Sequence, residues 1–135
     1  FYEIIYASNE ENDVQSSSYM ASPIEETLDA ELLSIVKDIE SGEVGSGIEV
    51  RLTNALLEVS ETSLDIFFAK PLSMIKLGMM MRKASQVAFD GTRAAIRSVI
   101  KKVFKGMSEP QLRGVAHYVR SVRYSRNLFK ALDAA

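Results

Sequence analysis

Apolar residues recur at helical spacing along most of the chain. At about 100° per residue, Ile24, Leu28, Leu32, Ile35, Val36 and Ile39 fall within about 120° of arc, opposite Glu25, Glu26, Asp29, Glu31 and Lys37. That pattern predicts an amphipathic helix from Pro23 to about Glu40. Ser22-Pro23-Ile24-Glu25 precedes it as a capping box with proline in the first turn. Gly42 to Gly47 follows as a glycine-rich turn. Ser46-Gly47-Ile48-Glu49 repeats the capping grammar, and Ile48, Leu52, Ala55, Leu56 and Val59 share one face of a second helix. A helix is preferred to the strand that the Ile48/Val50/Leu52 alternation would also suit, because Ala55-Leu56-Leu57-Glu58 continues in helical style.

The third segment, about Ser63 to Ala88, is the most apolar. Taken as one helix, it confines Asp65, Lys70, Ser73, Lys76 and Lys83 to an arc of about 140°. Leu64, Phe67, Phe68, Leu72, Met74, Ile75, Leu77, Met79 and Met81 take most of the rest, and Met80 falls inside the polar arc. A helix apolar around so much of its circumference is expected at the centre of a bundle. Pro71 predicts a kink or a new helix start within it. Lys70, Pro71 and Lys76 interrupt the run, which argues against a membrane span.

Asp90-Gly91 marks either a turn or a glycine tolerated inside a longer helix. Ile96, Val99, Ile100, Val103 and Phe104 form the apolar face of a fourth helix, stopped by Gly106. Ser108-Glu109-Pro110-Gln111 is a third capping box. The helix it opens carries Leu112, Val115, Val119 and Val122 on one side and is expected to run to about Leu132, forming a hairpin with its predecessor. The fold class predicted is all-α: four to five helices around the apolar third segment, as one domain over 22–135. Residues 1–21 read as an acidic, flexible arm or linker. Phe1 to Tyr6 suits a short strand or docked arm, and Ala7 to Ala21 is polar with no apolar period.

Composition adds exclusions. There is no cysteine, so disulfides, thiolate zinc sites and cysteine nucleophiles are absent. Ser108 to Val122 (SEPQLRGVAHYVRSV) resembles the closing helix of small c-type cytochromes. Without the haem-attachment cysteines, the resemblance implies neither cofactor nor activity. His117 is the only histidine and has no orienting carboxylate in its motif. Glu25, Glu26 and Asp29 lack a histidine at di-metal spacing. Gly42-Glu43-Val44-Gly45-Ser46-Gly47 lacks the Lys-Ser/Thr of a phosphate loop. No catalytic, metal or cofactor site is therefore predicted. The start at Phe1 rather than Met reads as processing or truncation, no signal peptide is recognised, and nothing assigns a compartment.

The formal net charge of −2 conceals a split. Residues 1–62 hold 14 acids and 2 bases, net −12, whereas residues 63–135 hold 4 acids and 14 bases, net +10. Such asymmetry points to an anionic partner, or to an acidic half folded onto a basic one. Arg93, Arg97, Lys101 and Lys105 form a ridge at four-residue spacing, with Lys102 nearby. Tyr118, Arg120, Arg123, Tyr124 and Arg126 interleave arginines with tyrosines. Both suit phosphate tracking and base stacking, or a solvated face and a seam against the acidic helices. The last two helices also fit a helix-turn-helix presenting Gln111, Arg113 and His117, although Glu109 would repel phosphate there.

Met74, Met79, Met80, Met81 and Met107 suit the core or an adaptable apolar interface. The leading functional expectation is a non-catalytic interaction module that self-associates or docks a protein partner. The alternative is a nucleic-acid binder using the basic C-terminal hairpin. The third is a peripheral binder of anionic membranes through the apolar segment and its flanking lysines.

Overall fold

A computed structural model describes residues 2–5, 16–19, 21–45 and 47–123. The chain divides into two units: Ile24–Val122, and the flanking Phe1–Pro23 with Arg123–Ala135. In the flanking unit, strands β1 (Tyr2–Ile5) and β2 (Ser16–Tyr19) pair antiparallel, with Tyr2 opposite Tyr19 and Ile5 opposite Ser16. The strand at the chain start matches one sequence alternative. The strand at Ser16–Tyr19 falls in the stretch read from sequence as a polar linker or arm. Ladder bonds are made by the backbone, so a serine run can pair without any apolar alternation.

The unit Ile24–Val122 is all-α. It comprises α1 (Glu26–Glu40), α2 (Ile48–Leu64), a π-helical turn (Asp65–Ala69), the short α3 (Lys70–Ser73), α4 (Met79–Phe104) and α5 (Glu109–Val122). Its core is built on α1. Leu28, Leu32, Ile35, Val36 and Ile39 are buried against Ile48, Leu52 and Ala55 of α2, Leu112, Ala116 and Val119 of α5, and Phe104 at the end of α4. Ile35, Val36, Ile39 and Leu52 are the largest fully enclosed side chains. Each such side chain contributes roughly 1.5–3 kcal/mol of burial.

The apolar third segment does not take the centre, which corrects the expectation of a bundle wrapped around it. It is divided between two antiparallel arms. Pro71 has no N–H to continue the α-helical ladder, and its ring would crowd the carbonyl four residues earlier. The wider π turn over Asp65–Ala69 precedes this point, and Pro71 sits in the first turn of α3 as expected. The chain then breaks after Met74, turns through Ile75–Gly78, and returns as α4. A circumference drawn at 100° per residue from Ser63 to Ala88 therefore crosses a change of helix type and a reversal of direction.

The α2–α4 pairing is antiparallel: as α2 advances through Glu49, Glu61 and Asp65, the partners recede through Gly106, Arg97 and Arg93. Gly91 lies inside α4, so Asp90-Gly91 is not a turn. The two predicted helices on either side of it merge into one.

The three capping boxes have different outcomes. The box at Ser108 forms reciprocally: the Ser108 N–H donates to Gln111 Oε1 at 2.9 Å, and the Gln111 N–H donates to Ser108 Oγ at 3.4 Å. The box at Ser22 does not form. Glu25 is extended and its carbonyl accepts the first helical bond, from Asp29 N–H at 2.9 Å. The start shifts past Ile24, which packs against the core from the extended segment. At the second box, Gly47 is the N-cap with φ of 120°, a value that favours glycine, and Ser46 lies outside the described residues. The continuation of α5 toward Leu132 also lies outside them.

Candidate functional site

The acidic and basic halves meet in ion pairs on the helix surfaces. On the acidic side, Glu31, Ser34 and Asp38 share one face of α1, and Arg51 of α2 spans them. Its Nε donates to Glu31 at 2.9 Å, Nη1 to Asp38 at 2.8 Å and Nη2 to Ser34 at 3.2 Å. The bonds to Glu31 and then Asp38 raise the Arg51 pKa above its ordinary value, against an opposing effect of burial. The planar fork of arginine suits this three-point grip between helices, which a lysine would not reproduce. Sequence reading counts Arg51 only as one of two bases in an acidic region. Glu31 and Asp38, seven residues apart on one helix, are the signal that marks it as a clamp.

The basic positions fare unequally. Arg120 of α5 grips Glu40 of α1 with two bonds, Nε at 2.6 Å and Nη2 at 2.8 Å. That bonding holds the Glu40 carboxyl below its usual range; desolvation opposes it, and the charges of Arg120 and His117 add to it. The same contact raises the Arg120 pKa. Arg113 donates to the Glu40 carbonyl at 3.4 Å and to Glu109 at 3.0 Å. Arg93 pairs with Asp65 at 2.6 Å and lies 3.7 Å from Asp90; Arg97 pairs with Glu61 at 3.0 Å. The predicted ridge therefore begins as a seam to α2. Its C-terminal members, Lys101 and Lys105, are exposed with no ion pair among the described residues, as is Lys102. Lys101 lines a shallow groove with Asn54, Leu57, Glu58, Glu61 and Arg97. Arg123 is half-buried, and Arg126 and Tyr124 lie outside the described residues.

The methionines gather elsewhere. Phe68, Met74, Ile75, Met79, Met80 and Met81 surround the turn that joins α3 to α4, and all are exposed, Met80 to 86% and Met74 to 81%. Core placement of Met74, Met79 and Met81 is thereby corrected: the seam of an isolated two-helix arm has too little circumference to cover them. The same tip carries Lys70, Lys76, Arg82 and Lys83, all exposed and without ion pairs among the described residues. Between Asp65 and Asp90 the sequence contains no acid. The N-termini of α1, α2 and α5 carry acids in their first turn, whereas that of α4 carries none and has no side-chain cap.

Among the described residues no group of three His, Cys, Asp or Glu side chains can hold a metal ion, and no helix is long and apolar enough to cross a membrane. His117 is exposed on α5. Comparison with known proteins adds no kinship: no family model, no curated protein and no solved structure matches the chain.

Proposed function

We propose that the chain is a non-catalytic helical interaction module whose attachment end is the tip of the α2–α4 arm. The observation that carries this reading is the exposure of six large apolar side chains, Phe68 to Met81, at one end of a structure whose core is at the other. A contiguous exposed apolar patch on a globular unit is an interaction surface far more often than a solvated one. Methionine suits such a surface because its unbranched thioether repacks against varied contours.

The ion pairs favour this reading over phosphate tracking. Arg93, Arg97 and Arg120, which a nucleic-acid groove would need, are engaged by Asp65, Glu61 and Glu40. Exposed pairs of this kind contribute little stability individually, but they select which helices lie side by side.

The test is an environment-sensitive apolar dye titrated against the full chain. Wild type is expected to bind the dye, and a variant with Met79→Glu, Met80→Glu and Met81→Glu is expected to lose most of that binding with unchanged far-UV circular dichroism. Dye binding that is absent in wild type, or unaltered in the variant, overturns the reading.

A further inference from the structure

The shape and charge of the tip bear on what it attaches to. Met79, Met80 and Met81 are consecutive in a helix, so their side chains leave the axis at successive angles of about 100° and together span about 200° of its circumference. All three are nonetheless exposed. Phe68, Met74 and Ile75 add apolar surface from the other limb of the arm and from the turn. A folded protein partner presents one face and covers one side of such a projection. A fluid hydrocarbon layer closes around all sides of it.

Charge separates the remaining occupants. Lys70, Lys76, Arg82 and Lys83 put four cations beside the apolar side chains, with no acid between Asp65 and Asp90 to offset them. Two copies meeting tip to tip would bring like charges together, which is unfavourable at contact distance. A surface of anionic headgroups offers the opposite charge at the depth where lysine and arginine extend from apolar neighbours. The N-terminus of α4, uncapped by a side chain and without an acid in its first turn, adds its positive dipole end at the same place. The apolar end is also too short to cross a bilayer, in keeping with interfacial seating.

From this we infer that the tip of the arm, Phe68 to Lys83, inserts into the interfacial layer of an anionic lipid membrane, with the methionines among the upper acyl chains and the four cations at the headgroups. The inference rests on the tip being the attachment end, and it names the occupant.

The chain contains no tryptophan, so one introduced at the tip reports that place alone. Met80→Trp tests the tip, and Val50→Trp tests an exposed position at the core end of α2. With vesicles of equal phosphatidylcholine and phosphatidylglycerol, the Met80→Trp emission is expected to shift to the blue and to be quenched by brominated acyl chains. Val50→Trp is expected to do neither. An interfacial cation is worth about fivefold in affinity, so Lys76→Glu with Lys83→Glu should weaken vesicle binding by at least about 25-fold. Pure phosphatidylcholine vesicles should bind at least about tenfold more weakly than the mixed ones. Equal binding to both vesicle types overturns the charge argument. Absence of any shift overturns the membrane occupant. If the dye still binds the tip in that case, the attachment end stands and its partner is a protein; if the dye does not bind either, both readings fall.

Discussion

The two ends of α2 are built from similar residues and placed in different surroundings. At its N-terminal end Ile48, Leu52, Thr53 and Ala55 are buried, the first, second and fourth in the core shared with α1, α4 and α5. Toward its C-terminal end Ser60, Ser63 and Leu64 are only half-buried along a seam with α4, and beyond them Phe68 is exposed. The distance between these regimes is about 25 Å, at about 1.5 Å per helical residue. Hydrophobicity is higher beyond α2, over Asp65 to Met81, than at its buried N-terminal end. Burial therefore follows the number of neighbouring elements and not the apolar content of the segment. An apolar stretch with one neighbour stays at the surface.

Breaking the core end should produce the largest effects. Leu52→Ala removes a fully enclosed side chain of the core, and should cost about 2–5 kcal/mol in chemical denaturation. Met80→Ala, at the other end, should change stability by less than about 0.5 kcal/mol. A comparable loss at both positions would erase the distinction between the two regions. Next in size is Ser108→Ala, which removes the reciprocal cap of α5 and should cost about 0.5–2 kcal/mol.

Gly91→Ala sharpens the comparison from the arm. Gly91 is an interior, exposed position of α4 with open space around the site of an added methyl group. The substitution should stabilise by about 0.4–1 kcal/mol, read from the thermal midpoint. Destabilisation would mean that Asp90-Gly91 is a turn after all.

The smallest effect concerns pH. The Glu40 carboxyl is held below its ordinary value by Arg120, so its contribution is complete above the unfolded-state pKa and is lost as pH falls through the lowered folded-state value. Glu40→Gln should therefore lower the urea midpoint slightly at neutral pH and match wild type in strong acid. A gap that persists in acid would assign the effect to packing.

The helical character of the chain was legible because α1 and the face Leu112–Val119 of α5 obey a single uninterrupted period. The cap at Ser108 was legible because Gln111 can return its bond. The position of the third segment was not, because its period is interrupted twice at markers, Pro71 and Lys76-Leu77-Gly78, that also fit a single kinked helix. The π turn before Pro71 alters the angular phase, and the reversal at Ile75–Gly78 lies within an apolar run. The charge split was visible as arithmetic, but the pairings Arg51–Glu31, Arg93–Asp65 and Arg120–Glu40 join residues 20, 28 and 80 positions apart. Local spacing carries no record of such distances. The methionines were picked out in sequence as core or interface; Met74, Met79, Met80 and Met81 are exposed, and Met107 packs against the core.

The placement of these methionines can be read directly by peroxide oxidation of the native chain, followed residue by residue in a mass spectrometer. Met74, Met79 and Met80 should oxidise at rates close to those of the unfolded chain, and Met107, which packs against the core, markedly more slowly. If Met74, Met79 and Met80 are instead protected as well as Met107, the apolar segment is enclosed and the arm has no exposed tip.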